Sequence, residues 1–127
     1  KSIPLVQEMA RQNGDAHYIV ARKGRKLYMD NPICVGVKSI TTEKDQKLYV
    51  DQEEMEQMRG KRILIVDDVI STGRSLQALE EIAAAAGADV VGKMAILAEG
   101  DAASRTDISY LEKLPLFNGK GEPLPFD

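Results

Sequence analysis

Arg62-Ile63-Leu64-Ile65-Val66-Asp67-Asp68-Val69-Ile70-Ser71-Thr72-Gly73-Arg74-Ser75-Leu76 decides the fold of this chain. Ile63 to Val66 is an uninterrupted apolar run rich in β-branched residues, as suits a strand covered on both faces in a parallel sheet. Leu76, Leu79, Ile82, Ala83 and Ala86 then recur at helical spacing, and Gly87 follows as a natural residue to close that helix. The loop between strand and helix lies at the carboxyl edge of the sheet, where open α/β folds bind ligands.

The same loop has the parts of an anion site. The first amides of a helix lack intrahelical partners, and the helix dipole adds partial positive charge there. Gly73 has no Cβ, so backbone can approach a phosphate closely, while Ser71, Thr72 and Ser75 carry hydroxyl donors. Asp67 and Asp68, when ionised, only accept hydrogen bonds, which suits sugar hydroxyls or a hydrated magnesium ion. The loop is not a Walker A loop, because no Gly-Lys-Ser/Thr ending is present.

In order, the run resembles the phosphoribosyl-pyrophosphate (PRPP) signature of type I phosphoribosyltransferases: hydrophobic strand, acidic pair, two aliphatics, small hydroxyl, Thr, Gly, any residue, hydroxyl. The resemblance implies an α/β, Rossmann-like, mainly parallel sheet flanked by helices. It implies that Asp67 and Asp68 hold the ribose hydroxyls at the catalytic centre, with Mg2+ bound through substrate and these carboxylates. It further implies that Ser71, Thr72, Gly73, Arg74 and Ser75 cradle the 5′-phosphate. Two other readings use the same residues. Acidic residues ending a strand can be plain solvated edge residues beside an ordinary helix cap. Response-regulator receivers also end their first strand in paired aspartates, but they need a later strand ending in a phosphoacceptor Asp and then a Lys. Met94 to Leu97 offers a later strand with no Asp at its end.

Composition sets the outer bounds. The 127 residues fit one domain, read as a core over 1–117 and an exposed tail over 118–127 rich in Gly and Pro. A net charge of −3 gives no general affinity for nucleic acid. No hydrophobic stretch approaches the ~18 residues of a membrane helix. One cysteine, Cys34, excludes an intrachain disulfide and fits a reducing compartment such as the cytoplasm; its apolar surroundings predict a core position. His17 has no Cys or His companion for a metal site.

Elsewhere the pattern predicts a helix from a Ser2 cap to about Asn13, ended by Gly14, with Ile3, Leu5, Val6, Met9 and Ala10 on its apolar side. Tyr18 to Ala21 reads as a short strand, Pro32 to Ile40 as a half-buried strand, and Leu48 to Val50 as its hairpin partner. Asp51 with Glu54 forms a capping-box start for a short helix ended by Gly60. Asp89 to Ala98 and Ile108 to Leu111 supply two further strands. A helix at the very start of an α/β chain, with no strand leading in, is unusual. Type I enzymes place a central strand and a pyrophosphate loop before the matching helix, so the expectation is an N-terminally incomplete fold.

Arg22-Lys23-Gly24-Arg25-Lys26 puts four cations in five residues, which repel unless an anion faces them. A solvated turn explains an isolated basic pentamer. Here the loop follows a strand end, and adenine- and orotate-type enzymes carry a similar Arg-Lys-x-x-Lys. By resemblance, Arg22, Lys23 and Lys26 meet the pyrophosphate, in part across a homodimer interface. Lys38 to Lys47 resembles, by position and polarity, the mobile loop that closes over substrate, and a solvated hairpin turn fits equally well. Hypoxanthine-guanine enzymes put an Asp where Ser71 stands, so the resemblance favours adenine among purine bases. A PRPP- or nucleotide-binding regulator without catalysis remains an alternative of a different class.

Overall fold

The computed structural model describes residues 2–37 and 46–126, and the expected closing loop lies mainly outside them. Helix α1 covers Ile3–Asn13. Strands β1 (Pro32–Val37) and β2 (Gln46–Asp51) form an antiparallel hairpin, followed by α2 (Gln52–Met58). Then come β3 (Arg62–Ile70), α3 (Arg74–Ala86), β4 (Asp89–Glu99), a 3-10 turn over Gly100–Ser104, and β5 (Ser109–Leu114). β3, β4 and β5 lie side by side in that order, all parallel. The result is the expected α/β architecture.

Local chemistry explains most element ends. Gly14 and Gly87 take left-handed φ values of 77° and 73° and return their amides to the last turns of α1 and α3. The Asp51–Glu54 capping box is present, with the Asp51 amide donating to Glu54 Oε1 at 3.2 Å. Ser2 does not cap α1 through its side chain; its carbonyl instead accepts from the Val6 amide at 2.9 Å.

Helix α3 joins two cores. Ala78, Ile82 and Ala86 pack with Leu48 and Val50 of the hairpin and Met55 and Met58 of α2. Leu76 packs with Ile65 and Ile70 of β3, Ala95 and Ala98 of β4, and the small residues of the 3-10 turn. Small side chains on β4 let the helix and turn approach the parallel sheet closely.

Four expectations need correction. β3 is not covered on both faces: Leu64 is 42% exposed, and Val91 and Ile96 on the adjoining β4 are also exposed, because α3 covers only the other side. The Leu64 Cδ1 lies over Gly92, where a Cβ would sit only 2.8 Å away. Cys34 is exposed, because alternation in the hairpin turns Ile33 and Val35 to the core and leaves Cys34 on the other face. Tyr18 to Ala21 forms no strand; among the described residues its ladder reduces to the Arg22–Tyr49 bridge, with hydrogen bonds of 2.7 and 3.0 Å. β3 also runs further than the apolar run, taking in both acids: Asp67 pairs with Ala95 and Val69 with Leu97. Residues 119–126 are exposed, as expected, and fold back so that Phe117 bridges Pro123 and the Leu124 amide donates to the Leu116 carbonyl at 2.7 Å.

Candidate functional site

The loop after β3 borders a cavity of about 150 Å3 lined by Asp67, Ser71, Thr72, Gly73 and Ser75 among others. A water molecule takes about 30 Å3 in the liquid, so a phosphate-sized anion fits. Gly73 adopts φ 83° as the residue before α3, a conformation that side chains resist. Its carbonyl accepts from the Gln77 amide at 2.9 Å, which leaves the amides of the first helical turn toward the loop. Arg74 does not line this cavity, unlike its four neighbours in the expected cradle. Its amide approaches Thr72 Oγ1 at 3.4 Å.

The acids sit on the last residues of β3 that face the ligand edge. The Asp68 amide donates to Asp67 Oδ1 at 2.8 Å, and the Val69 amide to Asp68 Oδ1 at 2.9 Å. These short local bonds orient the two carboxylates. Burial pushes the Asp67 carboxyl up to about 6, helped by its hydrogen bond to Asp68 and by that neighbour's charge. The same hydrogen bond holds Asp68 below the usual carboxylate range. The pair therefore holds a proton to higher pH than an ordinary carboxyl does, and titrates as a unit. A divalent cation would remove that tension, and a hydrated magnesium ion takes one or two carboxylates of this kind.

A second, open cleft of about 1510 Å3 adjoins the first. Asp67 and Ser75 line both cavities, while Asp68, Arg22, Lys23 and Lys26 line the cleft. The fold thus brings the basic loop and the acids to one concavity, although Tyr18 to Ala21 is not a strand. Arg22 is anchored there by its backbone bridge and by Nε donating to Tyr28 Oη at 2.8 Å; Lys23 and Lys26 are exposed.

Two residues beside the loop escaped the sequence reading. Ser71 Oγ donates to Glu99 Oε1 at 2.8 Å, across 28 positions of sequence. Arg105 lies so close to Gly73 that a Cβ there would meet its Nη1 at 2.6 Å. Glu99 could have been suspected, since it ends β4 at the ligand edge; Arg105 follows an irregular turn and carries no such signal.

The profile of the "Phosphoribosyl transferase domain" matches residues 1–120. The chain belongs to this family. A xanthine phosphoribosyltransferase from Geobacillus thermodenitrificans is 35% identical over 75 residues, 58% of this chain and 38% of the relative. A hypoxanthine/guanine phosphoribosyltransferase from Methanococcus voltae is 34% identical over 103 residues, 81% of this chain and 51% of the relative. The crystal structure of an adenine phosphoribosyltransferase from Thermoanaerobacter pseudethanolicus superposes with a TM-score of 0.69 over 85% of this chain and 62% of that one. At 19% identity this last likeness speaks for the fold alone. The chain spans about half, or less, of the length of the two curated relatives. No helix among the described residues is long and apolar enough to cross a membrane.

Proposed function

We propose that this chain carries the sugar-phosphate half of a phosphoribosyltransferase that moves ribose 5-phosphate from PRPP to a purine base, with adenine as the favoured base. One observation carries the reading: a phosphate-sized cavity at a helix start shares Asp67 with a cleft that holds Asp68 and the basic loop. A molecule with a phosphate at one end, a diol in the middle and a pyrophosphate at the other matches that order.

In the proposed reaction the bond from the anomeric carbon to pyrophosphate breaks and a bond to a base nitrogen forms. Positive charge develops on the sugar, and the base nitrogen gives its proton to solvent or to the departing pyrophosphate. Residues 71–75 grip the 5′-phosphate, far from the reacting carbon, and that binding energy positions the sugar. Asp67 and Asp68 accept from the ribose hydroxyls and place negative charge near the developing cation. Arg22, Lys23 and Lys26 draw charge off the departing pyrophosphate. Mg2+, held through Asp67, Asp68 and the substrate, would supply further neutralisation of that leaving group.

Ser71 supports adenine, because a serine hydroxyl is no carboxylate base for a 6-oxopurine nitrogen. The two curated relatives act, by their names, on 6-oxopurines, so the base is open to direct challenge. Pyrophosphate release from PRPP with adenine, hypoxanthine, guanine and xanthine is the test. Turnover of hypoxanthine or xanthine without adenine overturns the base assignment, and tight PRPP binding without turnover of any base favours a regulator. The same reading has a cytoplasmic homodimer acting in purine salvage, which sedimentation of the purified protein checks for its oligomeric part.

A further inference from the structure

The proposed cradle has a charge problem. Asp67 lines the phosphate cavity and Asp68 adjoins it, while the hydroxyl of Ser71 is already committed to the Glu99 carboxylate. A phosphate monoester brings close to two further negative charges. Helix-start amides offer only partial positive charge. The cation of the signature itself, Arg74, does not line the cavity.

Arg105 does not line the cavity either, but its guanidinium lies against Gly73 of the loop. It follows the 3-10 turn whose alanines pack under the loop with Ile70 and Leu76. Asp107 takes its Nε at 2.8 Å and its Nη2 at 2.6 Å. That two-point grip fixes the plane of the guanidinium. Asp107 is itself held by Lys93 at 3.5 Å, and Lys93 pairs with Glu80 at 2.6 Å. With Nε and Nη2 engaged, the Nη1 end of the fork lies over Gly73, 2.6 Å from the place of a Cβ. Glycine at position 73 therefore serves two purposes. It allows the left-handed turn, and it leaves room for this cation against the loop.

We propose that Arg105 is a phosphate-binding residue, whose Nη1 donates to the 5′-phosphate of a ribose phosphate seated in the loop. The proposal rests on reading residues 71–75 as a phosphate cradle. Arg105 lies outside the PRPP-type run and reaches the loop from the turn that follows β4. Asp107 acts as its positioning residue, holding the fork at the angle that turns Nη1 to the loop.

Titration calorimetry with ribose 5-phosphate, ribose and pyrophosphate separates the two ideas. Wild-type protein is expected to bind ribose 5-phosphate much more tightly than ribose; equal binding sinks the cradle and this proposal with it. If the cradle holds, Arg105→Gln is expected to weaken ribose 5-phosphate about tenfold, as befits one charge-assisted hydrogen bond, and to leave pyrophosphate unaffected. Asp107→Asn, which keeps the cation and loosens its plane, is expected to give a smaller loss. Unchanged ribose 5-phosphate affinity in Arg105→Gln overturns the role of Arg105 while sparing the cradle. Should Arg105→Gln not fold, wild-type protein still decides the matter. The Arg105 Nε–H resonance, assigned by its absence in Arg105→Lys, is expected to shift on adding ribose 5-phosphate and not ribose. No shift rejects the proposal.

Discussion

The two ends of the candidate site are built in different ways. The phosphate end is a strand, a five-residue loop and a helix start, backed by Leu76, Ile65 and Ile70 in a closed core. Among the described residues, the basic end is held by the Arg22–Tyr49 backbone bridge, the Arg22–Tyr28 side-chain bond and a turn in which the Met29 amide donates to the Lys26 carbonyl at 3.0 Å. Next to it, α1 buries no residue at all, and its Ile3, Val6, Met9 and Ala10 line the open cleft. One end is held by packing, the other mainly by position, so damage should register as lost stability at the first and as lost binding at the second.

The largest expected effect breaks this comparison most directly. Leu76 is 2% exposed under the phosphate loop, so Leu76→Ala should cost about 2–5 kcal/mol in chemical denaturation. Val6→Ala, on the unburied apolar side of α1, should cost less than about 0.5 kcal/mol. Equal losses would mean that α1 is packed as firmly as α3. Gly73→Ala comes next. The left-handed φ alone should cost about 1 kcal/mol, and the new methyl must displace Arg105. Ribose 5-phosphate binding should fall by more than the loss of stability suggests, which parallel melting and calorimetry would reveal.

How far the sequence could be read follows the same division. Ile63 to Gly87 was legible because strand, loop and helix are set by neighbours in sequence: an apolar run, a glycine with positive φ, and a 3.6-residue period. The hairpin and the Asp51–Glu54 cap were legible for the same reason. Tyr18 to Ala21 was misread because a strand needs a partner, and an apolar tetrapeptide does not say whether it has one. Leu64 and Cys34 were misread because burial depends on which faces later elements cover. Glu99 and Arg105 reach the loop only through the parallel pairing of β3 with β4, which no local pattern encodes.

The acid pair predicts a pH dependence of intermediate size. Asp67 has a folded value of about 6 against an ordinary 3.8, so the folded protein holds its proton more tightly than the unfolded chain. Between these values the folded state binds more protons, and stability therefore falls as pH rises from about 4 to 6 and levels off above. Because solvent still reaches the carboxyl, the loss should be near 1 kcal/mol rather than the full linkage value. Asp68→Asn removes the neighbouring charge and should lessen that slope without abolishing it, since burial is the larger cause. A slope unchanged by Asp68→Asn in denaturation curves at pH 4, 5 and 6 would argue that the pair does not interact.

The smallest effect on stability belongs to the basic end, and there binding decides. Lys23 and Lys26 are exposed, and removing both should leave the melting temperature within about a degree. Each exposed cation facing a pyrophosphate is worth up to about 1 kcal/mol at low salt. The double variant Lys23→Ala/Lys26→Ala should therefore bind pyrophosphate roughly tenfold more weakly in dilute buffer. The difference should shrink as salt is added, since these charges are screened. Ribose 5-phosphate affinity should not move, because neither lysine lines the phosphate cavity. If it falls in step with pyrophosphate affinity, the two ends act as one packed unit, and the cleft is tighter than its single bridge at Arg22 implies.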